Sequence, residues 1–400
     1  MRSAAEGGID PVRAWLNAGA AFVSTFVVFG IGYSFGAFFT PISREFHTSS
    51  GATSVVFSVT AACWFLLGLV TGRAGDRWGP RPLLLVGAVA LVCGLQVIAH
   101  AHTVWLAYLA HGLGVGVAAG CGYIPMVAAV GGSFSRRRGL ALGVAVSGIG
   151  AGTLFGAPVA AVLIAAYGWR TAYQIFGFAG AAALVGCALV TTTPPVQAAA
   201  AGGGSGAGRL VRDRRFRALY VSTVCSSLAL FVPFVFLPAF ATANGTAPIA
   251  AASLMGVVGV ASVVGRLAIG PVAERIGYLR SYRFCFGIMA ASYIVWLAVS
   301  GYPALVAFAA ILGVGYGGWI ALGPAVMAEL FGTEGLGGTL GLAGTGSAIG
   351  VLVGPPLAGL LIDATGGYRW AIALAAALAT AAALALLPLR GAHGPGRPGR

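Results

Sequence analysis

Apolar runs of about twenty residues recur along the whole 400-residue chain and leave little sequence between them. A bilayer core about 30 Å thick needs roughly 20 apolar residues for each helical span. Twelve runs approach that length, over residues 15–40, 51–72, 82–100, 104–130, 139–166, 170–192, 216–242, 249–273, 284–300, 303–328, 335–362 and 368–388. The sequence therefore predicts an all-α integral membrane protein with twelve transmembrane helices.

The composition excludes several other classes of protein. Hydrophobic residues make up 58% of the chain and charged residues 8%, whereas about 25% of a soluble domain is charged. That balance excludes a soluble enzyme, a disordered protein and a secreted disulfide scaffold. The six cysteines lie singly in or beside apolar runs, which favours small core residues over a redox or metal motif. A glycine-rich phosphate loop with its lysine is also missing, so we expect no nucleotide to be needed. We also expect no enzyme activity, metal or cofactor.

The basic residues predict the orientation of the chain. All 23 are arginine, and the formal net charge is +14. They lie in short gaps between apolar runs instead of on a hydrated face, which argues against a nucleic-acid binder. Nineteen fall on the side of both termini, and only Arg44, Arg170 and Arg369 fall on the other. Because positively charged loops stay in the cytoplasm, we expect a multi-pass protein of the inner (cytoplasmic) membrane with both termini cytoplasmic.

A polar interruption at residues 191–217 separates six runs from six. It holds Pro194-Pro195, a tract of Ala, Gly and Ser, and five arginines, which is typical of a flexible tether beside anionic headgroups; an interaction segment is the alternative. The predicted organisation is a cytoplasmic segment (1–14), a six-helix bundle (15–192), a cytoplasmic linker (193–215), a second six-helix bundle (216–388) and a cytoplasmic tail (389–400).

The two halves repeat each other at an offset of 198 residues. Glycines and a proline of the fifth run recur in the eleventh, and a loop after the second run recurs after the eighth. The first set is Gly143, Gly148, Gly152, Gly156 and Pro158, which match Gly341, Gly346, Gly350, Gly354 and Pro356. A six-helix unit repeated in parallel predicts two pseudo-symmetric bundles that rock around a site near the membrane midplane.

The repeated loops resemble the G-x-x-x-D-R-x-G-x-R signature of the major facilitator superfamily. The first copy consists of Gly72, Asp76, Arg77, Gly79 and Arg81, and the second of Gly270, Glu274, Arg275, Gly277 and Arg280. The resemblance implies the twelve-helix major facilitator fold. A carboxylate beside arginines at a helix end can form charge-assisted hydrogen bonds between bundles that close one face and release it again. The alternative is that these residues only anchor a helix end in the interface.

A second resemblance concerns residues 134–148, which are similar to the F-x-K-R-R-x-L-A-x-G-x-A-x-x-G signature of monocarboxylate transporters. Arg136, Arg137 and Arg138 form its basic cluster and are further gating candidates. The segment Gly168-Trp169-Arg170, common in that family, follows at the next loop. The family also has a cluster of acidic, Gly and Trp residues before span one, and Asp10 and Trp15 match it only in part.

Arg266 is the one arginine that falls deep inside an apolar run. A charge at the bilayer centre costs about 2.5–3.5 kcal/mol even on a lenient scale, so such residues are functional candidates. Ser262 lies one turn earlier on the same helix face. The guanidinium offers a planar fork that matches a carboxylate, which predicts a binding site for an organic anion. The alternative is that the Arg266 side chain reaches to the membrane interface or contacts a helix end.

The resemblance adds candidates around this arginine. In monocarboxylate transporters and oxalate/formate exchangers an arginine of span eight contacts the anion, and Arg266 resembles it in position. The exchangers add a lysine in span eleven, and the mammalian carriers add a lysine in span one and an acid where Ser262 stands. This chain contains no lysine. A second cation for a dicarboxylate is therefore missing, and a lysine-linked proton route cannot be transferred.

We place five more residues around the expected central cavity. Tyrosine joins an apolar ring to a hydroxyl that can donate to a carboxylate, and bacterial lactate carriers use tyrosines of spans four and ten in this way. Each aromatic can equally be a packing residue. The candidates are Tyr33, Tyr123, Ile149, Tyr316 and Trp319.

His111 is the candidate for proton coupling. It stands where many family members have arginine in span four, and its ordinary titration range lies near neutrality. A structural histidine is the competing interpretation.

These observations predict a secondary active transporter that moves a small monocarboxylate such as lactate, pyruvate or acetate by alternating access, with a proton, and works as a monomer in the lipid bilayer. The alternatives are an organic-anion exchanger, a drug or small-molecule exporter of the same fold and, least favoured, a receptor or scaffold without flux.

Overall fold

The computed structural model describes residues 11–134, 137–192, 207–298, 301–332 and 336–389. Within these ranges every regular element is helical. The helices are α1 (Pro11–Tyr33), α2 (Phe35–Glu45), α3 (Ser50–Trp78), α4 (Pro80–Ala99), α5 (Val104–Gly122), α6 (Ile124–Ser133), α7 (Arg138–Val190), α8 (Ala207–Arg212), α9 (Arg214–Ala243), α10 (Pro248–Ile276), α11 (Tyr278–Ala298), α12 (Tyr302–Phe331), α13 (Leu336–Thr365) and α14 (Arg369–Ala385).

The helices form twelve spans, as predicted. In the described ranges ten helical segments are long and apolar enough to cross a membrane. α1 with α2 and α5 with α6 each form one span, while α7 contains two and turns back at Gly168. Gly168 has a φ of 80°, which glycine adopts without steric cost, so spans five and six need no separate loop. The shorter α14 is the twelfth span.

The repeat seen in the sequence reappears as repeated helix contacts. On α7, a Cβ at Gly152 would lie 2.8 Å from the backbone nitrogen of Gly30 on α1. On α13, a Cβ at Gly350 would lie 2.9 Å from the backbone nitrogen of Leu228 on α9. Both members of the second pair follow those of the first by 198 residues. Small residues let membrane helices approach this closely, and the same contact organises both bundles.

An arginine caps the last helix of each bundle. Arg81 donates from Nε to the carbonyl of Ala188 at 2.9 Å, and Arg283 donates from Nε to the carbonyl of Leu386 at 3.0 Å. The two acceptors are again 198 residues apart. A cation at a helix carboxyl end satisfies free carbonyl groups and complements the helix dipole. Arg81, predicted as a gating residue, thus makes its hydrogen bond inside its own bundle.

The two bundles meet on one side and separate on the other. We call the side where α1 begins, α7 ends and α9 begins the linker face, and the other side the opposite face. Near the opposite face, the rings of Phe39 and Phe236 lie 5.0 Å apart across the bundles. Towards the linker face, the Cβ positions of Gly143 on α7 and Gly270 on α10 have no heavy atom within 4 Å beyond their own helix backbones. The pair of helices α7 and α10, which touch at Gly150 and Gly259, therefore diverges towards the linker face.

The Gly168-Trp169-Arg170 segment fastens the opposite face of the first bundle. Arg170 donates from Nη1 to the carbonyls of Ala99 and Ala101, and its Nη2 lies 3.0 Å from Glu45 Oε1. Its guanidinium carbon also lies 4.5 Å from the ring centroid of Trp169. One side chain thus ties together the ends of three spans.

Candidate functional site

Arg266 lies in the middle of α10 and faces the other bundle. Its Nη1 donates to the carbonyl of Val146 on α7 at 3.1 Å, and its Cζ lies 5.9 Å from the ring centroid of Tyr316 on α12. Close by, α7 and α10 cross with Gly150 and Gly259 in backbone contact, since a Cβ at Gly259 would lie 2.6 Å from the Gly150 carbonyl oxygen. The guanidinium is therefore held between the bundles.

One edge of this guanidinium has no acceptor. Arg266 Nε and Nη2 are buried, and neither finds a hydrogen-bond partner among the described residues. These two nitrogens form the edge of the fork that binds a carboxylate through two parallel hydrogen bonds. Burying the donors of a cation without hydrogen-bond acceptors costs more free energy than burying neutral donors without acceptors. The arrangement can accept one carboxylate.

Three tyrosines surround the charge. The hydroxyls of Tyr33, at the end of α1, and Tyr316 lie 3.1 Å apart and join the two bundles. Tyr123 occupies the break between α5 and α6, and its ring lies 5.2 Å from that of Phe29. The ring of Tyr33 lies 5.5 Å from the same Phe29 ring, so the three tyrosines form one cluster beside Arg266. The structure thus brings together the arginine and the three tyrosines that the sequence singled out.

The other predicted site residues have different surroundings. Ser262 is buried and donates to the carbonyl of Gly259 at 2.8 Å, so its hydroxyl is used within α10. Ile149 is buried in the hydrophobic core. Trp319 donates from Nε1 to the hydroxyl of Tyr282 at 2.9 Å, and its ring centroid lies 6.4 Å from that of Tyr316. Trp319 thus packs its ring beside that of Tyr316.

His111 lies inside the first bundle. Its side chain is fully buried, and Nδ1 lies 2.7 Å from Thr60 Oγ1. Because the Thr60 hydroxyl itself donates to the carbonyl of Val56, its oxygen accepts from an Nδ1–H. The rings of Phe35 and Tyr173 each lie 5.6 Å away. Nε2 has no partner among the described residues.

The gating candidates lie on the linker face. Within the described part of the chain they form no ion pair; the ion pair recorded there joins Arg170 and Glu45 on the opposite face. Asp76 and Arg77, and the second set Glu274, Arg275 and Arg280, are exposed. This agrees with the separation of the bundles on that face. Arg136 lies outside the described residues, Arg137 is exposed, and Arg138 is the first residue of α7.

The glycines of the repeated loops have a local role. Gly79 and Gly277 have φ values of 79° and 95° and end α3 and α10. Only glycine adopts this conformation freely. Gly72 and Gly270 lie inside the same two helices, one turn or more before the acidic residues.

Two parts of the site carried no sequence signal. The Val146 carbonyl is a backbone group, and nothing in its residue type marks it as the acceptor for Arg266. Tyr282, the partner of Trp319, lies in the ninth span among other aromatic residues. Both depend on how the helices pack and not on their composition.

Comparison with known proteins agrees with this architecture. The family model described as Major Facilitator Superfamily matches residues 21–221 and 219–400. Monocarboxylate transporter 13 of Bos taurus is 30% identical over 382 residues, which cover 94% of this chain and 89% of that protein. Monocarboxylate transporter 3 of Rattus norvegicus is 30% identical over 370 residues and covers 89% of this chain and 75% of its own length.

A solved structure shows the same fold. It is a bacterial homologue of the human lysosomal transporter Spinster in an inward-facing conformation, which superposes with a TM-score of 0.71 at 16% sequence identity and covers 95% of this chain and 94% of its own. The chain belongs to the Major Facilitator Superfamily and, within it, to the monocarboxylate transporter-like family. It is a multi-pass membrane transporter and not an enzyme.

Proposed function

We propose that the chain carries a small monocarboxylate, such as lactate, pyruvate or acetate, at Arg266. The observation that carries the proposal is the pair of buried donors, Nε and Nη2, without an acceptor. One carboxylate satisfies both donors and neutralises the charge. A single cation suits a monocarboxylate better than a dicarboxylate, and the names of the relatives support the same substrate class.

Alternating access follows from where the site lies. Arg266 and Tyr316 belong to the second bundle, and Tyr33 and the Val146 carbonyl belong to the first. Rocking of the bundles about this layer exposes the site to one face and then to the other. Because arginines concentrate on the linker face, we assign that face to the cytoplasm and the chain to the inner membrane, open inward. All parts of the site come from one chain, which supports a working monomer.

A proton is the proposed co-substrate. Moving a proton with the anion makes the load neutral, so the membrane potential does no work on it. His111 is the candidate carrier because it is buried, ionisable and has a ring nitrogen without a partner among the described residues. Its hydrogen bond to Thr60 links it to α3, a helix that packs against the second bundle.

Anion exchange is the second candidate for the mode of transport. The nine acidic residues are Glu6, Asp10, Glu45, Asp76, Asp213, Glu274, Glu329, Glu334 and Asp363, and none lies near the middle of a span. An empty site then keeps an uncompensated cation, which is costly to enclose. This favours a cycle in which one anion replaces another before the bundles move, with counterflow that needs no pH gradient.

Uptake of labelled lactate into proteoliposomes, with and without an inward proton gradient, tests the proposal. Replacing Arg266 by Lys keeps the charge and loses the fork, so we expect at least a tenfold fall in uptake, whereas Arg212→Lys, at an exposed position of α8, leaves it unchanged. Unchanged uptake in Arg266→Lys contradicts an anion site at this residue. Transport of uncharged compounds by Arg266→Gln supports the exporter instead.

A further inference from the structure

A carboxylate of the second bundle caps a helix of the first. Asp363, near the end of α13, accepts the backbone N–H of Ser50 on Oδ1 and that of Gly51 on Oδ2, both at 2.8 Å. Ser50 and Gly51 are the first two residues of α3. The contact lies at the opposite face, where the molecule is closed.

The hydrogen bonds use groups that α3 cannot satisfy itself. The first N–H groups of a helix have no acceptor within the helix. Ser49 accepts the N–H of Ala52 with its hydroxyl oxygen at 3.3 Å, which leaves those of Ser50 and Gly51 for Asp363. An anion at this end also complements the helix dipole. Two of these three capping hydrogen bonds of α3 therefore come from the other bundle.

Backbone contact brings the two helices together at the same level. One turn before Asp363, a Cβ at Gly359 would lie 2.6 Å from Cα of Gly51, and a Cβ at Gly51 would lie 3.1 Å from Leu360 Cδ2. Gly359 and Asp363 are four residues apart and share one face of α13. The two glycines allow the approach that lets the carboxylate reach both N–H groups.

The internal repeat shows that the fold does not require this contact. At the offset of 198 residues, Asp363 corresponds to Ala165 and Ser50 corresponds to Pro248. Alanine has no carboxylate, and proline, the first residue of α10, has no N–H. The equivalent positions on α7 and α10 therefore cannot form these hydrogen bonds, so of the two related helix pairs only α13 and α3 make the contact.

We propose that Asp363 is a latch that holds the opposite face closed and opens once in every transport cycle. Separation of the bundles on that face moves the carboxylate away from α3 and leaves Ser50 and Gly51 to water. Asp363 is exposed, so water replaces part of the lost interaction and the latch can release. The role does not depend on which substrate Arg266 holds.

Distances between spin labels at His102 and Ala243 test the latch. Both positions are exposed on the opposite face, one in each bundle, and the labels are placed in a cysteine-free background in proteoliposomes. We expect Asp363→Ala to raise the ratio of long to short distances about fivefold, which corresponds to about 1 kcal/mol. Asp363→Asn keeps one acceptor and should shift the ratio in the same direction by less.

The matched control is Thr48→Ala, which removes a hydrogen bond to the Thr53 hydroxyl at the same end of α3, between two residues of the first bundle. We expect the wild-type distance distribution for this variant. A wild-type distribution in both Asp363 variants overturns the latch, and so does an equal shift in Thr48→Ala, which would reflect fraying of α3 instead of release between bundles.

Discussion

At the scale of single residues, two hydrogen-bonding arrangements meet at the site. Arg266 donates to the Val146 carbonyl from Nη1, while Nε and Nη2 have no hydrogen-bond partner in the described part of the chain. The hydroxyls of Tyr33 and Tyr316 bond to each other across the bundles. Hydroxyl groups beside a bound carboxylate can donate to it, so a substrate competes with the bond between the tyrosines.

Replacing Tyr316 by Phe removes a hydroxyl without removing the ring. We expect a five- to tenfold rise in KM for lactate, because a hydrogen bond to a charged group is worth roughly 1.5–3 kcal/mol before the cost of breaking the bond to Tyr33 is subtracted. Tyr108→Phe is the control, since its hydroxyl donates to the Ala52 carbonyl inside the first bundle. Concentration-dependent uptake gives KM for both, and equal values in wild type and Tyr316→Phe contradict the assignment.

The role of His111 can be separated from that of Arg266. If His111 carries the proton, His111→Gln abolishes the stimulation of uptake by an inward proton gradient and leaves anion counterflow intact. His102→Gln, at an exposed position, should keep the stimulation. A normal response of His111→Gln to the gradient removes the residue from the proton route and, together with counterflow that ignores pH, favours exchange.

At the scale of helices, glycine decides which pairs touch. The α1 to α7 contact at Gly30 and Gly152 and its repeat at Leu228 and Gly350 were visible in the sequence only as a matching series of glycines. Since membrane helices gain little from the hydrophobic effect against each other, close backbone contact has to supply the attraction. The same residue type serves the crossing of α7 and α10 beside Arg266.

A methyl group at Gly152 should therefore destabilise the first bundle. Its Cβ would lie 2.4 Å from the Phe26 carbonyl oxygen. Because the helix backbone cannot move to relieve this contact, we expect the free energy of unfolding to fall by about 1–3 kcal/mol. Gly186→Ala, on the same helix with no heavy atom within 4 Å of its Cβ position, is the control and should be neutral or slightly stabilising. Thermal unfolding of both variants in detergent, followed by size-exclusion chromatography, measures the difference. Equal midpoints contradict the contact.

Span number and internal symmetry were predictable because hydropathy and glycine spacing are local properties of the chain. The break at Tyr123, the turn without a loop at Gly168 and the capping of α7 by Arg81 were not predictable. Each depends on atoms brought close by packing. Arg266 could be found because a charge in an apolar run is conspicuous, whereas the Val146 carbonyl that holds it could not.

At the scale of the whole molecule, the bundles touch at two levels and part at a third. Near the opposite face lie the aromatic contact of Phe39 with Phe236 and the capping of α3 by Asp363. At mid-depth lie Arg266 and the bond between the tyrosines. Towards the linker face the bundles part. The charged loops there form no ion pairs among the described residues. A gate that closes this face only in the other half of the transport cycle would have its ion pairs broken in this state.

The central claim is that the free edge of Arg266 binds a carboxylate, and calorimetric titration of the purified transporter tests it most directly. Lactate and its uncharged amide have nearly the same shape but differ in the group that pairs with the fork. We predict that lactate binds wild type at least tenfold more tightly than lactamide does and that Arg266→Gln loses this preference. Equal affinity for the two compounds in wild type, or an unchanged preference for lactate in Arg266→Gln, would contradict the account.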